Sequence, residues 1–220
     1  MDQSLREQVL QRVRAEIISG ETRPGAMYSV PTLAADLGVS TTPVREALLD
    51  LARNGLIEPV RNRGFKVADP NLDELRDLFD LRELLEVHAA VLLASRPDRT
   101  LDGLRPLADA IKAAVDADDV RGYLETDRRF HEAFIAAAGN TVMTETVMSL
   151  RDRMRLYGIT TRAGLERQAA SVPEHYRLIE LAAAGDVEAI RPLMRDHIRT
   201  WEPIFIEAIR KTGRESARGR

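Results

Sequence analysis

The sequence predicts a mainly α-helical protein in which an N-terminal winged helix-turn-helix, residues 1–69, precedes an antiparallel helical bundle, residues 70–220. Two short helical patterns separated by Gly38 indicate the helix-turn-helix. Two strand-like runs on either side of a basic turn at residues 61–63 indicate its wing. Beyond Pro70 the apolar residues recur only with helical spacing, which indicates the bundle.

Three helices are predicted in the N-terminal part. The first spans residues 5–19, because its apolar side chains fall on one helical stripe. The second spans residues 31–37, since Pro31 suits the first turn of a helix. The third spans residues 43–54 and has Thr42 as its N-cap.

The C-terminal part contains a series of longer helical patterns that are interrupted by glycine and proline. The predicted helices are 72–95, 100–117, 119–138, 141–158, 163–184 and 187–211. Asn140 is expected to cap the helix that follows it. The prolines inside these patterns, which should kink or split the helices, are Pro173, Pro192 and Pro203.

Composition excludes several classes of protein. The 220 residues include no cysteine, which rules out disulfides, cysteine-bound zinc and thiol catalysis. There is neither an apolar stretch of about 18 residues nor the start of a signal peptide, so we expect a cytoplasmic protein without a membrane segment. The net charge of −3 gives no general attraction to DNA. Between Ser40 and Val67, however, there are five basic and three acidic side chains, which gives this segment a small net positive charge.

The start of the third predicted helix carries the best candidates for contact with double-stranded DNA. A helix-turn-helix points this end into the major groove, where hydroxyl and backbone N–H groups suit phosphate. Arg45 is the best candidate to read a guanine. The complete set of predicted DNA contacts is Ser40, Thr41, Thr42, Arg45, Arg53, Arg63 and Gly64. The alternative is a winged helix that contacts protein, in which Arg45 is a solvated surface residue.

Asp127 and His131 lie one turn apart on one face of a predicted helix, and His175 and His197 lie on later helices. A carboxylate with imidazoles can form a divalent metal site, and the helices of a bundle can bring such side chains together. The alternative is that these are ordinary histidines on half-buried helices. His88 shares a stripe with leucines and is expected to face the core or a pocket, without a metal role.

Residues 40–48, STTPVREAL, with residues 51–57, LARNGLI, resemble the signature of GntR-family transcription regulators. The wing segment 61–67, RNRGFKV, fits the same pattern. There are two departures, since Pro31 stands where the family usually has a basic residue and Thr41 where it often has arginine. The resemblance implies a protein that binds DNA through this winged helix.

Residues 72–212, with Glu174-His175 and the segment 194–198, MRDHI, resemble the all-helical FCD ligand domain of the FadR-type branch. The resemblance implies a divalent ion, most simply zinc, with nickel or manganese as alternatives, and a small carboxylate effector that completes its shell. The implied metal ligands are Asp127, His131, His175 and His197. It also implies an effector contact for Arg82, whose alternative is a surface pair with Glu86.

We therefore expect a homodimeric regulator that acts as a repressor and binds a near-palindromic operator. Two other functions stay open. One is a metal-dependent hydrolase that uses the Asp/His site, although its candidate bases Glu132 and Glu174 adjoin ligands in sequence and should point away. The other is a regulator that senses the metal ion alone.

Overall fold

In a computed structural model of the chain, the described residues are 4–18, 21–69, 71–98, 100–154 and 158–218, with side chains as far as residue 211. The chain folds into two compact units. The first contains the residues up to Asn71 and a short segment that starts at Asp152. The second contains Leu72–Arg151 and the chain from Gly158 onward. Pro70, at the predicted domain boundary, lies outside the described residues.

The first unit is a winged helix. Its elements are α1 (Leu5–Ile18), β1 (Met27–Tyr28), α2 (Val30–Leu37), α3 (Thr41–Arg53), β2 (Ile57–Val60) and β3 (Gly64–Val67). The strands form an antiparallel sheet in the order β1-β3-β2, with Val60 opposite Gly64 across the wing. One core joins α1, α2, α3 and the sheet, and its buried side chains include Val13, Val44, Leu48, Leu51 and Phe65. The predicted winged helix-turn-helix is confirmed.

Two predicted helix starts in this unit are wrong by one or two residues. α3 begins at Thr41 with Ser40 as its N-cap, so Thr42 is inside the helix. α2 begins at Val30, ahead of Pro31. Both errors have the same cause. The first N–H groups of a helix have no partner within it, so a proline is tolerated in any position of the first turn.

Gly64 is the residue that lets the wing close against β1. Its φ is +112°, and a Cβ at this position would lie 2.2 Å from the carbonyl oxygen of Tyr28. Only glycine allows such a close approach between backbones at positive φ. The packing of the sheet therefore requires Gly64, independently of any contact with DNA. The two-residue strand β1 was not predicted.

The second unit is helical, and all strands of the described residues precede it. Its elements are α4 (Leu72–Ser95), α5 (Leu104–Asp116), α6 (Val120–Ala136), α7 (Thr141–Arg153), α8 (Arg162–Ala184), α9 (Val187–Arg199) and α10 (Glu202–Arg218). α4 packs against α6, α8 and α9, and α5 packs against α6 and α8. Buried phenylalanines fill the interior between them: Phe79, Phe130, Phe134 and Phe205. The helical C-terminal domain is confirmed.

Prolines affect these helices less than predicted. The predicted helix 187–211 is two helices, and the break falls just before Pro203, as proline requires. Pro173 and Pro192, by contrast, lie inside the unbroken helices α8 and α9. Each removes one backbone hydrogen bond, but both helices bury one face in the core, and that packing outweighs the local cost. Asn140 caps α7 as predicted, because its Oδ1 accepts a hydrogen bond from the N–H of Met143 at 3.0 Å.

One face of α4 is apolar and open to solvent. Leu81 and Leu84 are 46% and 68% exposed. His88 is one turn further along the same face and is also exposed, so its predicted place in the core or a pocket is wrong. The buried stripe of α4 is a different one and contains Leu75 and Phe79. No helix among the described residues is long and apolar enough to cross a membrane.

Candidate metal centre and DNA-binding face

Three helices of the second unit bring the predicted metal ligands together. α6 carries Asp127 and His131, while α8 carries His175 and α9 carries His197. One potential ligand atom from each of the four side chains lies within 4.8 Å of every other. The three imidazoles are buried, and the Asp127 side chain is 17% exposed. The sequence therefore identified a set of side chains that the fold gathers at one point.

The distances suit a single ion. Asp127 Oδ1 lies 3.2 Å from His175 Nε2 and 3.6 Å from His131 Nε2. His197 Nε2 lies 3.1 Å from His131 Nε2. Two ligand atoms that are each about 2.1 Å from a tetrahedral ion are separated by roughly 3.4 Å. The same four atoms, three Nε2 and one Oδ1, can thus share one coordination sphere.

Polar atoms of the cluster lack hydrogen-bond partners. Neither ring nitrogen of His175 makes a hydrogen bond, although its Nε2 is close to Asp127 Oδ1, and Nδ1 of His131 makes none. The ring of Phe130 stands edge-on to His175 with centroids 4.7 Å apart and closes that side. A buried polar atom without a partner costs roughly 1–3 kcal/mol. A cation would give His175 Nε2 the partner that it lacks.

The protonation states also suit a cation. Burial lowers the pKa of His131 to about 3 and that of His197 to about 4, so both rings are neutral near pH 7 and keep a lone pair for a metal. Burial alone would raise the pKa of Asp127. His131, His175 and Arg151 outweigh burial and hold that pKa well below its usual value. The carboxylate is therefore ionised. This residue set fits a divalent ion.

A buried charge network adjoins the cluster. Arg151 donates to Asp127 Oδ2 at 2.8 Å and to Glu86 Oε2 at 2.9 Å. Arg82 donates to Glu86 Oε1 at 2.6 Å. Both side chains of the Arg82–Glu86 pair are buried, so the surface pair considered from the sequence is wrong. Burial alone would raise the pKa of Glu86, but the two arginines lower it to about 2. Arg151 was not identified from the sequence, and Glu86 was considered only as a surface partner of Arg82.

The two glutamates next to the ligands behave differently. Glu132 points away from the cluster, as predicted, and pairs with Arg128 on the outside of α6. Glu174 does not point away from the cluster, because its Oε2 lies 2.6 Å from Nδ1 of His197 on the neighbouring helix. Burial alone would raise the pKa of Glu174, but His197 and Arg167 lower it to about 2.

The winged-helix unit exposes most of the predicted DNA contacts. Ser40, Thr41, Thr42 and Arg45 are all exposed at the start of α3, and the Ser40 side chain makes no capping hydrogen bond. Arg63 is exposed at the wing. These side chains can all reach solvent.

Arg53 and Gly64 fit the predicted DNA contacts less well. Arg53 lies at the opposite end of α3, where it pairs with Asp50 at 2.6 Å. Gly64 is only partly exposed and is explained by its contact with Tyr28. The exposed contacts thus concentrate at the N-terminal end of α3 and at the wing.

Both units match known protein families. The profile described as "Bacterial regulatory proteins, gntR family" matches residues 5–67. The profile described as "FCD domain" matches residues 77–200, which is more than half of the chain. The chain belongs to the GntR family. Within this family it has the FCD type of helical domain, as the sequence motifs implied.

Other GntR-family proteins resemble the chain over most of its length. BphR, an uncharacterised HTH-type transcriptional regulator of Paraburkholderia xenovorans (strain LB400), is 31% identical over 90% of this chain and 83% of its own. The HTH-type transcriptional repressor GlaR of Escherichia coli (strain K12) is 26% identical over 90% and 94%. The solved structure of E. coli McbR/YncC has the same fold, with a TM-score of 0.80, 24% identity and coverage of 94% and 99%.

The GntR assignment excludes the hydrolase, which is one of the two other functions left open by the sequence. The protein is a DNA-binding transcription regulator, and its relatives are regulators rather than hydrolases. Some of these relatives are named repressors. GntR regulators bind DNA operators and are typically dimers. FCD domains typically bind a metal, and the Asp/His cluster is the candidate place for one.

Proposed function

We propose that this regulator is a repressor whose operator affinity is controlled by a small carboxylate effector bound next to a divalent ion. The ion is held by Asp127, His131, His175 and His197. The observation that carries the proposal is the convergence of their ligand atoms within 4.8 Å in a place where His175 has no hydrogen-bond partner. When bound, an ion whose coordination shell extends beyond these four ligands supplies Lewis-acid positions for carboxylate oxygens.

Charge balance supports an anionic effector. Arg82 and Arg151 offset the carboxylates of Glu86 and Asp127, and the neutral imidazoles add no charge. A divalent ion therefore leaves about two positive charges uncompensated in a largely buried site, which is costly without a counter-anion. The side chains of Arg151 and Asp127 are 12% and 17% exposed, whereas those of Arg82 and Glu86 are 7% and 0% exposed, so this is the more accessible edge of the site. A carboxylate that enters there meets the ion and an arginine together. Arg82 adds positive charge behind Glu86.

Zinc is the first choice of ion, because imidazole nitrogen and carboxylate oxygen are both common zinc ligands in proteins. Nickel and manganese remain alternatives, since mixed nitrogen and oxygen ligands suit several divalent ions. Metal analysis of protein purified after growth with each metal would identify the ion.

The proposal assigns operator recognition to Ser40, Thr41, Thr42 and Arg45, with Arg63 on the wing. Arg53 and Gly64 belong to the same unit, with Arg53 as a phosphate contact and Gly64 as the support of the wing. Each winged helix carries a surplus of only two positive charges between Ser40 and Val67. Because DNA affinity rises with the number of phosphates neutralised, two copies on a near-palindromic operator are needed for tight binding.

We assign the contact between the two copies to the helical unit. The apolar face of α4 exposes Leu81 and Leu84, which a second copy would cover in a symmetric dimer. The proposed regulator acts in the cytoplasm, where the operator is. An effector that changes operator affinity roughly 5- to 150-fold needs a coupling free energy of only about 1–3 kcal/mol.

The test is titration of operator DNA with the metal-free and metal-loaded protein, each with and without candidate small carboxylic acids. His175→Ala should lower the metal content and abolish the effect of the acid on DNA binding, while DNA binding itself remains, because the winged helix has its own core. Arg177→Ala is the matched control, since this exposed residue on the same helix pairs with Glu180.

Each unfavourable result has a definite meaning. A wild type without metal after growth with zinc or nickel would refute the proposed metal and effector site, which is the sensor half of the proposed function. The DNA-binding half, the winged helix on its operator, would stand. A metal that changes operator affinity without any effect of the acids would indicate a regulator that senses the ion alone.

A further inference from the structure

Glu174 contacts the Asp/His cluster through a residue of the neighbouring helix. It precedes His175 on α8, but its Oε2 lies 2.6 Å from Nδ1 of His197 on α9. Arg167 donates to the same oxygen at 2.5 Å and also to the carbonyl oxygen of His197 at 3.2 Å. The Arg167 side chain is buried and lies over the ring of Trp201. Glu174 is thus fixed between a buried arginine and one of the candidate ligands.

This contact determines which nitrogen of His197 carries the proton. A carboxylate that is paired with an arginine is ionised and only accepts hydrogen bonds. The group that donates to it from the imidazole is therefore Nδ1–H. In a neutral ring the proton on Nδ1 leaves Nε2 with its lone pair. Nε2 is the atom of His197 that lies in the cluster, 3.1 Å from Nε2 of His131.

We propose that Glu174, held in place by Arg167, is a positioning residue that sets the tautomer and the orientation of His197 for metal binding. The inference rests on the proposed function, because it assumes that the cluster holds an ion. Metal-binding histidines commonly donate their second ring N–H to a carboxylate, which orients the ring and makes the ligating nitrogen more basic.

The other two imidazoles lack such a support. His175 Nδ1 and His131 Nδ1 make no hydrogen bond among the described residues. Oε2 of Glu86 lies 3.8 Å from Nδ1 of His131, which is too far for a hydrogen bond. The proposed orienting contact is therefore confined to His197, and the loss of one carboxylate should have a measurable effect on the affinity for the ion.

The experiment measures zinc affinity by competition with a chromophoric chelator in the full-length protein. Glu174→Ala should weaken zinc binding roughly 10- to 100-fold, as is typical when the partner of a ligating histidine is removed. Glu174→Gln should have a smaller effect, because its amide oxygen can still accept the Nδ1–H. The matched control is Glu166→Ala, which removes an exposed carboxylate from the same helix, where it pairs with Arg162. This control should bind zinc as the wild type does.

Two further measurements show whether Glu174 positions His197 or only stabilises the fold through its pair with Arg167. Imidazole nitrogen NMR of the metal-free protein should show His197 protonated on Nδ1 in the wild type and a mixture of tautomers in Glu174→Ala. Unfolding followed by Trp201 fluorescence shows whether each variant is folded. If Glu174→Ala does not fold, the position of the proton on His197 in the wild type decides the question.

The inference is overturned if folded Glu174→Ala changes zinc affinity by less than about threefold, or if the wild-type His197 carries its proton on Nε2. In that case the proposed function still stands, provided that carboxylic acids act on DNA binding of the metal-loaded wild type. A wild type that binds no zinc, nickel or manganese overturns both the inference and the sensor half of the proposed function.

Discussion

Acidification should destabilise the metal-free helical unit before the carboxylates of the site are protonated. His131 and His197 are buried and neutral, with pKa values of about 3 and 4 against an ordinary value of 6.5. In the unfolded chain both rings take up a proton as the pH falls below 6.5, whereas in the folded chain they stay neutral. The two histidines therefore cost no stability above pH 6.5, and the free energy of unfolding decreases as the pH falls towards 4.

The magnitude follows from these pKa values. One histidine that must stay neutral costs about 1.36 kcal/mol for each pH unit below 6.5. At pH 5 this is roughly 2 kcal/mol for each ring and about 4 kcal/mol for both, as an upper limit. Glu86 and Glu174, whose pKa values are lowered from 4.5 to about 2, add a further loss only below about pH 4.5. The loss between pH 6.5 and 5 thus reports on the histidines.

The single tryptophan of the chain makes the assay specific. Trp201 lies in the helical unit and is 8% exposed, so its fluorescence follows the unfolding of that unit by denaturant. The free energy of unfolding of metal-free protein is compared at pH 7 and pH 5. A difference of less than about 1 kcal/mol would refute the reasoning, because it would mean that the two rings are protonated in the folded protein.

Three further predictions concern the DNA-binding face and the dimer. Arg45→Ala should weaken operator binding by about 1–3 kcal/mol and random DNA much less, whereas equal losses in a competition assay would make Arg45 a phosphate contact. Gly64→Ala should destabilise the wing by about 1–3 kcal/mol, because the new Cβ meets Tyr28 at positive φ. Hydrogen exchange of the β3 amides measures this loss. Gly55→Ala is the control, because its new Cβ is also at positive φ but meets no neighbour. Leu84→Arg should give monomers in light scattering and Val142→Arg, at another exposed apolar position, should not; a dimeric Leu84→Arg would exclude the α4 face as the interface.

The order and type of the elements could be predicted from the sequence because local patterns determine them. Helical spacing of apolar residues and the glycine after α2 define the helix-turn-helix. The strand β1 could not be predicted, since two residues carry no periodicity, and they form a strand only by pairing with β3. Helix starts shifted for a related reason, because a proline fits several positions of a first turn.

The four metal-ligand candidates could be predicted because the chain has only four histidines and one of them follows an aspartate by four residues. The buried positions of Glu86 and Arg151 were missed, because they depend on which face of each helix is buried. α4 has apolar residues on two faces, and the exposed one, with Leu84 and His88, was assigned to the core. The correct face contains Leu75 and Phe79, and the buried Arg82–Glu86 pair is in phase with it. The helical spacing that places Arg82 and Glu86 on the same face as Leu75 and Phe79 was the sequence signal for their burial.

Glu174 shows the limit of reasoning from adjacent positions. Neighbouring residues on a helix point in different directions, which correctly separates Glu174 from the ligand atom of His175. The prediction was wrong because a third helix, α9, brings His197 to the side of α8 that Glu174 faces. Only the packing of two helices reveals such a contact, and neither helix contains a sequence signal for it.

Asp127 is the residue at which the proposed ion and the proposed effector depend on each other. Its Oδ1 faces the imidazoles, whereas its Oδ2 accepts a hydrogen bond from Arg151. An ion bound at Oδ1 withdraws negative charge from the carboxylate and so weakens its attraction for Arg151, which is then a better partner for an incoming anion. By the same argument, an anion that draws Arg151 away leaves Asp127 a stronger ligand for the ion. The two effects must be equal in free energy, because coupling between two binding sites is reciprocal. The ion and the carboxylate should therefore each tighten the binding of the other, and this single aspartate accounts for why the proposed effector response requires the metal.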